Sequence, residues 1–373
     1  MPRIATPILL ITLAFCLAAG GAIAADKPAG LDKSGKPDLK SAGQLAFGPE
    51  GVLFVGDTQG AAIFAIGVGP ASGGKSSGEF KVEGVDGKLA ALLGTKAGDI
   101  LINDMAVQPG SSTVYLSASR GRGPDAEPVI ATVNSAGKVA LVPLDNVPYA
   151  KVTLTNVPGL EDKDRGGNSR RQEAITDMHY LNGKVFVAGL SNEDFTSRMR
   201  AISFPFAEAD KGADIGIYHG AHGKFETQSP VRTFTPFNIG GEPHLLAAYQ
   251  CTPLVTVPVS ALKAGAKVEG KTVAELGNMN RPLDMISYQK DGRPYLLLAN
   301  NKRGVMKINP ETIAQQEGIK DPVRGGGKAG LPYDTIDELK GVEHLDKLGD
   351  SHALLLVRTG EDKHLNLESV ALP

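Results

Sequence analysis

The chain has 373 residues, with 39 basic against 41 acidic side chains, 46 glycines, 24 prolines and no tryptophan. Charge this evenly balanced argues against a surface built for nucleic acid or an anionic membrane. The missing tryptophan excludes the WD signature of the commonest β-propellers.

The first element in chain order is an export signal, residues 1–24. Arg3 supplies a positive start, Ile8 to Ala19 is an apolar run of signal-peptide length, and Ala22-Ile23-Ala24 is a small-x-small cleavage site. The run is short for a membrane span, and no other stretch is apolar enough to be one. The mature chain should begin at Ala25 and be periplasmic or secreted. Cys251 is then its lone cysteine, so an internal disulfide is excluded and the core must be held by packing.

Residues 25–40 are polar and rich in Gly, Pro and Lys, which predicts a flexible leader. From residue 41 to 373 short apolar runs alternate with turn signals, the pattern of an all-β domain. Helical stretches are expected only at Lys88 to Leu93 and Pro310 to Gln316. A hairpin-like segment recurs: Gln44 to Val55, Ile102 to Ser117, Ile175 to Ala188, Thr235 to Ala248, Leu283 to Ala299 and Val342 to Val357. Three of these carry Asp-Met at their first strand: Asp104-Met105, Asp177-Met178 and Asp284-Met285. Repeats of this length and shape predict four-stranded blades around a central channel. The last strand, Leu365 to Leu372, needs an edge partner: either the leader supplies it, or the last blade has three strands.

Residues 45–66 (LAFGPEGVLFVGDTQGAAIFAI) and 102–119 (INDMAVQPGSSTVYLSAS) resemble blades of the NHL and gluconolactonase/strictosidine-synthase group of six-bladed propellers. The resemblance extends over roughly two thirds of the mature chain at blade level. It implies an all-β, six-bladed β-propeller.

In such a ring the start of each inner strand and the end of the next share one face. The starts hold Asn103, Asp104, Asp177 and Asp284. The ends hold Asp57, Ser119, Asn192, Cys251 and Asn300. Carboxylates gathered there repel one another unless a cation binds or one keeps its proton. Oxygen ligands of this kind suit calcium or magnesium, which makes Asn103, Asp104, Asp177 and Asp284 a candidate metal set. The other reading is that each Asp caps backbone amides of its own turn. In the gluconolactonase-like and paraoxonase-like families a metal held by Glu, Asn and Asp polarises a lactone or ester carbonyl. Asn103-Asp104 resembles their Asn-Asp element, whereas their first-strand Glu has no counterpart near Gln44 to Phe47.

His179 alternates with Asp177 and should face the same side. The Cys251 thiol is either an inert core group or a soft ligand needing a partner such as His179. Arg120, Arg122, Arg198 and Arg303 follow second strands. They suit a carboxylate or sulfate ligand, or pair with neighbouring acids.

Three motif matches lack the context that their chemistry needs. Residues 69–76 (GPASGGKS) fit a phosphate loop, but no helical pattern follows. Asp162, Asp164, Gly167 and Glu173 fit a calcium loop, but basic residues surround them. His219 and His222 lie in a Gly-rich stretch with no third ligand nearby in sequence. The functional expectation is a monomeric exported propeller that binds a small molecule or an exported protein at the channel mouth. The alternative is a calcium-type lactonase or esterase.

Overall fold

The computed structural model describes residues 27–71, 79–123, 125–251, 253–360 and 363–373. The expected signal segment and most of the phosphate-loop match lie outside them. Among the described residues no helix is long and apolar enough to cross a membrane.

The chain is an all-β propeller. Each recurring hairpin segment forms the inner and second strands of one antiparallel unit. The inner strands, in chain order, are Leu45–Phe47, Ile100–Val107, Asp177–Leu181, Val231–Ile239, Pro282–Lys290 and Val342–Leu348. Second strands such as Val52–Asp57 and Lys184–Leu190 are apolar and buried along most of their length. They are sandwiched between neighbouring units, so both faces must be apolar. Sharp turns join inner to second strands in the third and fifth units. Asn182-Gly183 and Asp291-Gly292 each place both turn residues at positive φ, which is the requirement of a two-residue hairpin turn.

The units close into a ring, but not in sequence order. Contacts between inner strands run first, second, sixth, fifth, fourth, third and back to first. A hydrophobic cluster fills each of these six joints. For example, Phe54 of the first unit packs against Phe204 of the third with ring centroids 5.0 Å apart. Two exchanged strands explain the order. After the second unit, Val147–Thr153 returns as the outer strand of the first, pairing with Ala62–Gly67. The chain then enters the third unit on the first unit's other side. Lys81–Val82, which lies between the first and second units in sequence, pairs with His364–Ala371 and completes the sixth.

This corrects the expected closure. The sixth unit takes its fourth strand from Lys81–Val82, not from the leader. The leader is also not wholly flexible: Lys33–Gly35 adds to the outer edge of the first unit by pairing with Val147–Thr153. The two helical stretches resolve into one short helix, Val85–Leu92, packed on the second and sixth units, and a single 3-10 turn, Ile313–Gln315.

Candidate functional site

Four inner strands share a β-bulge, with register shifts at Ile102/Asp104, Val231/Thr233, Pro282/Asp284 and Val342/His344. A bulge re-aims the side chain that follows it. Asp104 and Asp284 thereby join Asp177 in lining one axial cavity of about 330 Å³, with His179, Asp346 and Lys347 also on its wall.

Each aspartate links two units. Asp104 accepts the Met105 N–H at 2.8 Å and, through its other oxygen, the Leu45 N–H of the first unit at 2.7 Å. Asp177 accepts the N–H groups of Met178 and Phe234, both at 2.7 Å. Asp284 accepts those of Met285 at 2.7 Å and Leu345 at 2.9 Å. Asp346 accepts those of Lys347 and Val107, both at 2.7 Å. The two remaining joints are bridged differently. Gln44 Nε2 donates to the Thr176 carbonyl at 2.8 Å, and Ser287 Oγ donates to the Pro236 carbonyl at 3.3 Å. The sequence expectation of amides from the residue's own turn therefore holds for one oxygen of each carboxylate. The other oxygen ties the ring together.

The clustered charge is compensated from within. His344 Nδ1 lies 3.3 Å from Asp104 Oδ1 and 3.7 Å from Asp284 Oδ2. Burial alone would deprotonate this imidazole, but hydrogen bonding and the charges of Asp104 and Asp284 outweigh it and hold its pKa at about 10. Burial also raises Asp104, against the pull of His344. Burial lifts Asp346 to about 7, with its backbone hydrogen bonds acting the other way. It lifts Asp177 well above the usual carboxylate range, helped by the charge of Asp284. His179, whose side chain is 32% exposed and lines this channel, is pushed down by burial to about 4 and is neutral. Its ring meets Phe234 edge-on at 5.0 Å.

The sequence reading missed His344 and Asp346. Both lie in the weak repeat VEHLDKLGD, where His344 occupies the position of the Asp in Asp-Met and Asp346 follows at the next channel-facing place.

The other anticipated residues lie apart from this cluster. Asn103 is the bulged residue, and its amide donates to the Ala42 carbonyl at 2.7 Å and Ser119 Oγ at 3.0 Å. It lines a separate cavity of about 300 Å³ with Arg122 and Gln172, so it does not join Asp104, Asp177 and Asp284 as a ligand. Arg120 makes an exposed pair with Glu127 at 3.1 Å. Arg198 is fully buried and bound by Glu193 at 2.6 Å and Asp214 at 2.7 Å, which closes it to a ligand. Asn192 is exposed and donates its N–H to Asn156. Cys251 has φ +74° in a turn and joins no metal-ligating group among the described residues. Asn300 and Arg303 line a larger cavity of about 900 Å³ over the fifth and sixth units, together with Lys302, Lys340 and Arg358. Asp162 and Asp164 bind amides of their own loop.

No protein-family model matches the chain, and no curated protein matches it. Among solved structures, the PQQ-bound aldose sugar dehydrogenase of Streptomyces coelicolor is 11% identical, over 91% of this chain and 96% of that one, with a TM-score of 0.36. A streptogramin B lyase is 7% identical over 91% and 97%, at 0.38. A glucose dehydrogenase is 11% identical over 91% and 98%, at 0.35. Likenesses this distant carry no functional inference, and the fold assignment rests on the ring itself.

Proposed function

We propose that this chain is an exported, monomeric six-bladed propeller that binds a small ligand in its axial cavity, the ligand carrying a cationic or hydrogen-bond-donating group. One observation carries the reading. Asp104, Asp177, Asp284 and Asp346, from segments far apart in sequence, line the same cavity of about 330 Å³. A preformed pocket with a few convergent polar groups is the usual form of a small-molecule site. Strongly displaced titrations such as those of Asp346 and His179 cluster at functional sites. The blade-level resemblance to the NHL and gluconolactonase/strictosidine-synthase group belongs to this proposal, as does export, which rests on the apolar run Ile8 to Ala19 and the Ala22-Ile23-Ala24 site. N-terminal sequencing of the secreted protein should begin at Ala25.

The binding test is a thermal-shift screen with small amines, amino sugars and polyols. Hits should be lost in Ala106→Phe, which fills the cavity from its wall, and weakened in His179→Ala. Hits unaffected by Ala106→Phe would place binding elsewhere and end the reading.

A second reading, metal-dependent hydrolysis, has its own observation: ligand atoms of Asp104, Asp284 and His344 all lie within 4.8 Å of one another. Here a divalent cation such as calcium would displace the His344 proton and polarise a carbonyl. It requires stoichiometric metal in the purified protein and loss of that metal in His344→Gln. An unchanged melting curve in chelator removes it.

A further inference from the structure

We propose that His219, His222 and Glu226 form a binding site for one divalent transition-metal ion of the zinc class, remote from the axial cavity. The segment 219–226 reads HGAHGKFE. It folds as a hairpin at the outer edge of the third unit, where Ala213–His219 pairs with Lys224–Glu226. In that register His219 stands opposite Lys224, and Glu226 lies two residues farther along, on the same face. The turn between the strands, with Gly223 at φ +64°, brings His222 back over His219. The sequence expectation of solvated histidines lacking a third ligand is thereby corrected: Glu226 is the third ligand, and His219 is 1% exposed.

The geometry is that of a closed ligand set. Nδ1 of His219 is 2.9 Å from one Glu226 oxygen, and Nδ1 of His222 is 2.7 Å from the other. The two rings lie 3.8 Å apart between centroids and 36° from parallel. All three ligand atoms fall within 4.8 Å of one another. Around a tetrahedral zinc ion, with bonds of about 2.0–2.2 Å, ligand atoms sit roughly 3.3–3.5 Å apart. The set therefore needs to open by a few tenths of an ångström to admit the ion.

Two imidazoles and one carboxylate select zinc-like ions over calcium, which prefers oxygen ligands alone. Glu226, with a side chain 14% exposed, presents one carboxylate oxygen to each imidazole. Lys224 Nζ, 3.5 Å from Glu226 and 66% exposed, is free to swing into solvent when a metal takes over the charge. Three protein ligands leave a fourth position open for water or an exogenous ligand. His222, 46% exposed, also lines a cavity of about 500 Å³ that includes Arg324.

The test uses the full mature chain, stripped with chelator and titrated with zinc chloride by calorimetry, with melting followed in parallel. One equivalent should bind and raise the melting temperature. Calcium chloride should do neither. His222→Ala, at an exposed position, should keep the apo melting curve and lose at least tenfold in zinc affinity, and Glu226→Gln should lose zinc affinity to a similar extent. Cobalt substitution should give the intense visible bands of a tetrahedral site. Absence of stoichiometric zinc binding overturns the proposal. So does wild-type zinc affinity in the two variants, because other residues would then be the ligands.

Discussion

His344 Nδ1 lies 3.3 Å from Asp104 Oδ1 across a joint between the sixth and second units, which are far apart along the chain. This contact places a cation where the ring gathers its acids. With Asp284 at 3.7 Å it forms a buried acid–imidazolium–acid bridge.

Removing the imidazolium leaves two mostly buried carboxylates without their counter-charge. Breaking a buried pair from one side costs about 3–5 kcal/mol. His344→Ala should lower the unfolding free energy measured by urea titration by that amount, and His344→Lys should recover part of it. Because the folded pKa is raised to about 10, the bridge contributes fully below the unfolded value of the imidazole and is lost as pH rises through 10. The difference between wild type and His344→Ala should therefore shrink in alkaline buffer. A difference independent of pH would refute the ion-pair account.

Asp346 should show a pH dependence opposite to that of an ordinary paired carboxylate. Its folded pKa, about 7, lies above the unfolded one, so its stabilising contribution is complete below the unfolded value and fades as pH rises through 7. The stability loss in Asp346→Asn should accordingly be largest near pH 4 and smallest above pH 8. Urea titrations across that range measure it.

Asp57 anchors the N-terminal segment to the first unit. It is fully buried and accepts the N–H groups of Lys40 at 2.9 Å, Ser41 at 2.8 Å and Gly60 at 2.8 Å. Hydrogen bonds to a charged acceptor contribute about 1.5–3 kcal/mol each, and orphaned donors add to the loss. Asp57→Ala should destabilise by about 3 kcal/mol or more in urea melts. Hydrogen exchange should rise first at residues 40–60.

Deleting residues 27–35 should also destabilise, contrary to the expectation for a flexible leader. The deletion removes Leu31, which is 3% exposed, and strips the edge strand from Val147–Thr153. A thermal melt of the truncated chain should shift downward, with increased proteolysis between residues 147 and 153. An identical melt would show that this strand adds nothing.

What the sequence determined by itself was local and periodic. The repeated hairpin, its Asp-Met positions and the facing of His179 alongside Asp177 follow from strand alternation, which acts over a few residues wherever the units end up. Asp-Met also marked the carboxylates that meet at the axis, because equivalent positions of a repeat must converge in a ring. Tertiary structure alone decided the order of the units and the identity of the compensating charge. The outer strands Val147–Thr153 and Lys81–Val82 join units that are not their chain neighbours, and no local pattern encodes which exposed edge a strand will fill. His344 became a cation because folding buried it between Asp104 and Asp284, and Glu226 met two histidines because a hairpin register aligned them. Proximity and desolvation set those charge states, and both arise only when remote segments pack.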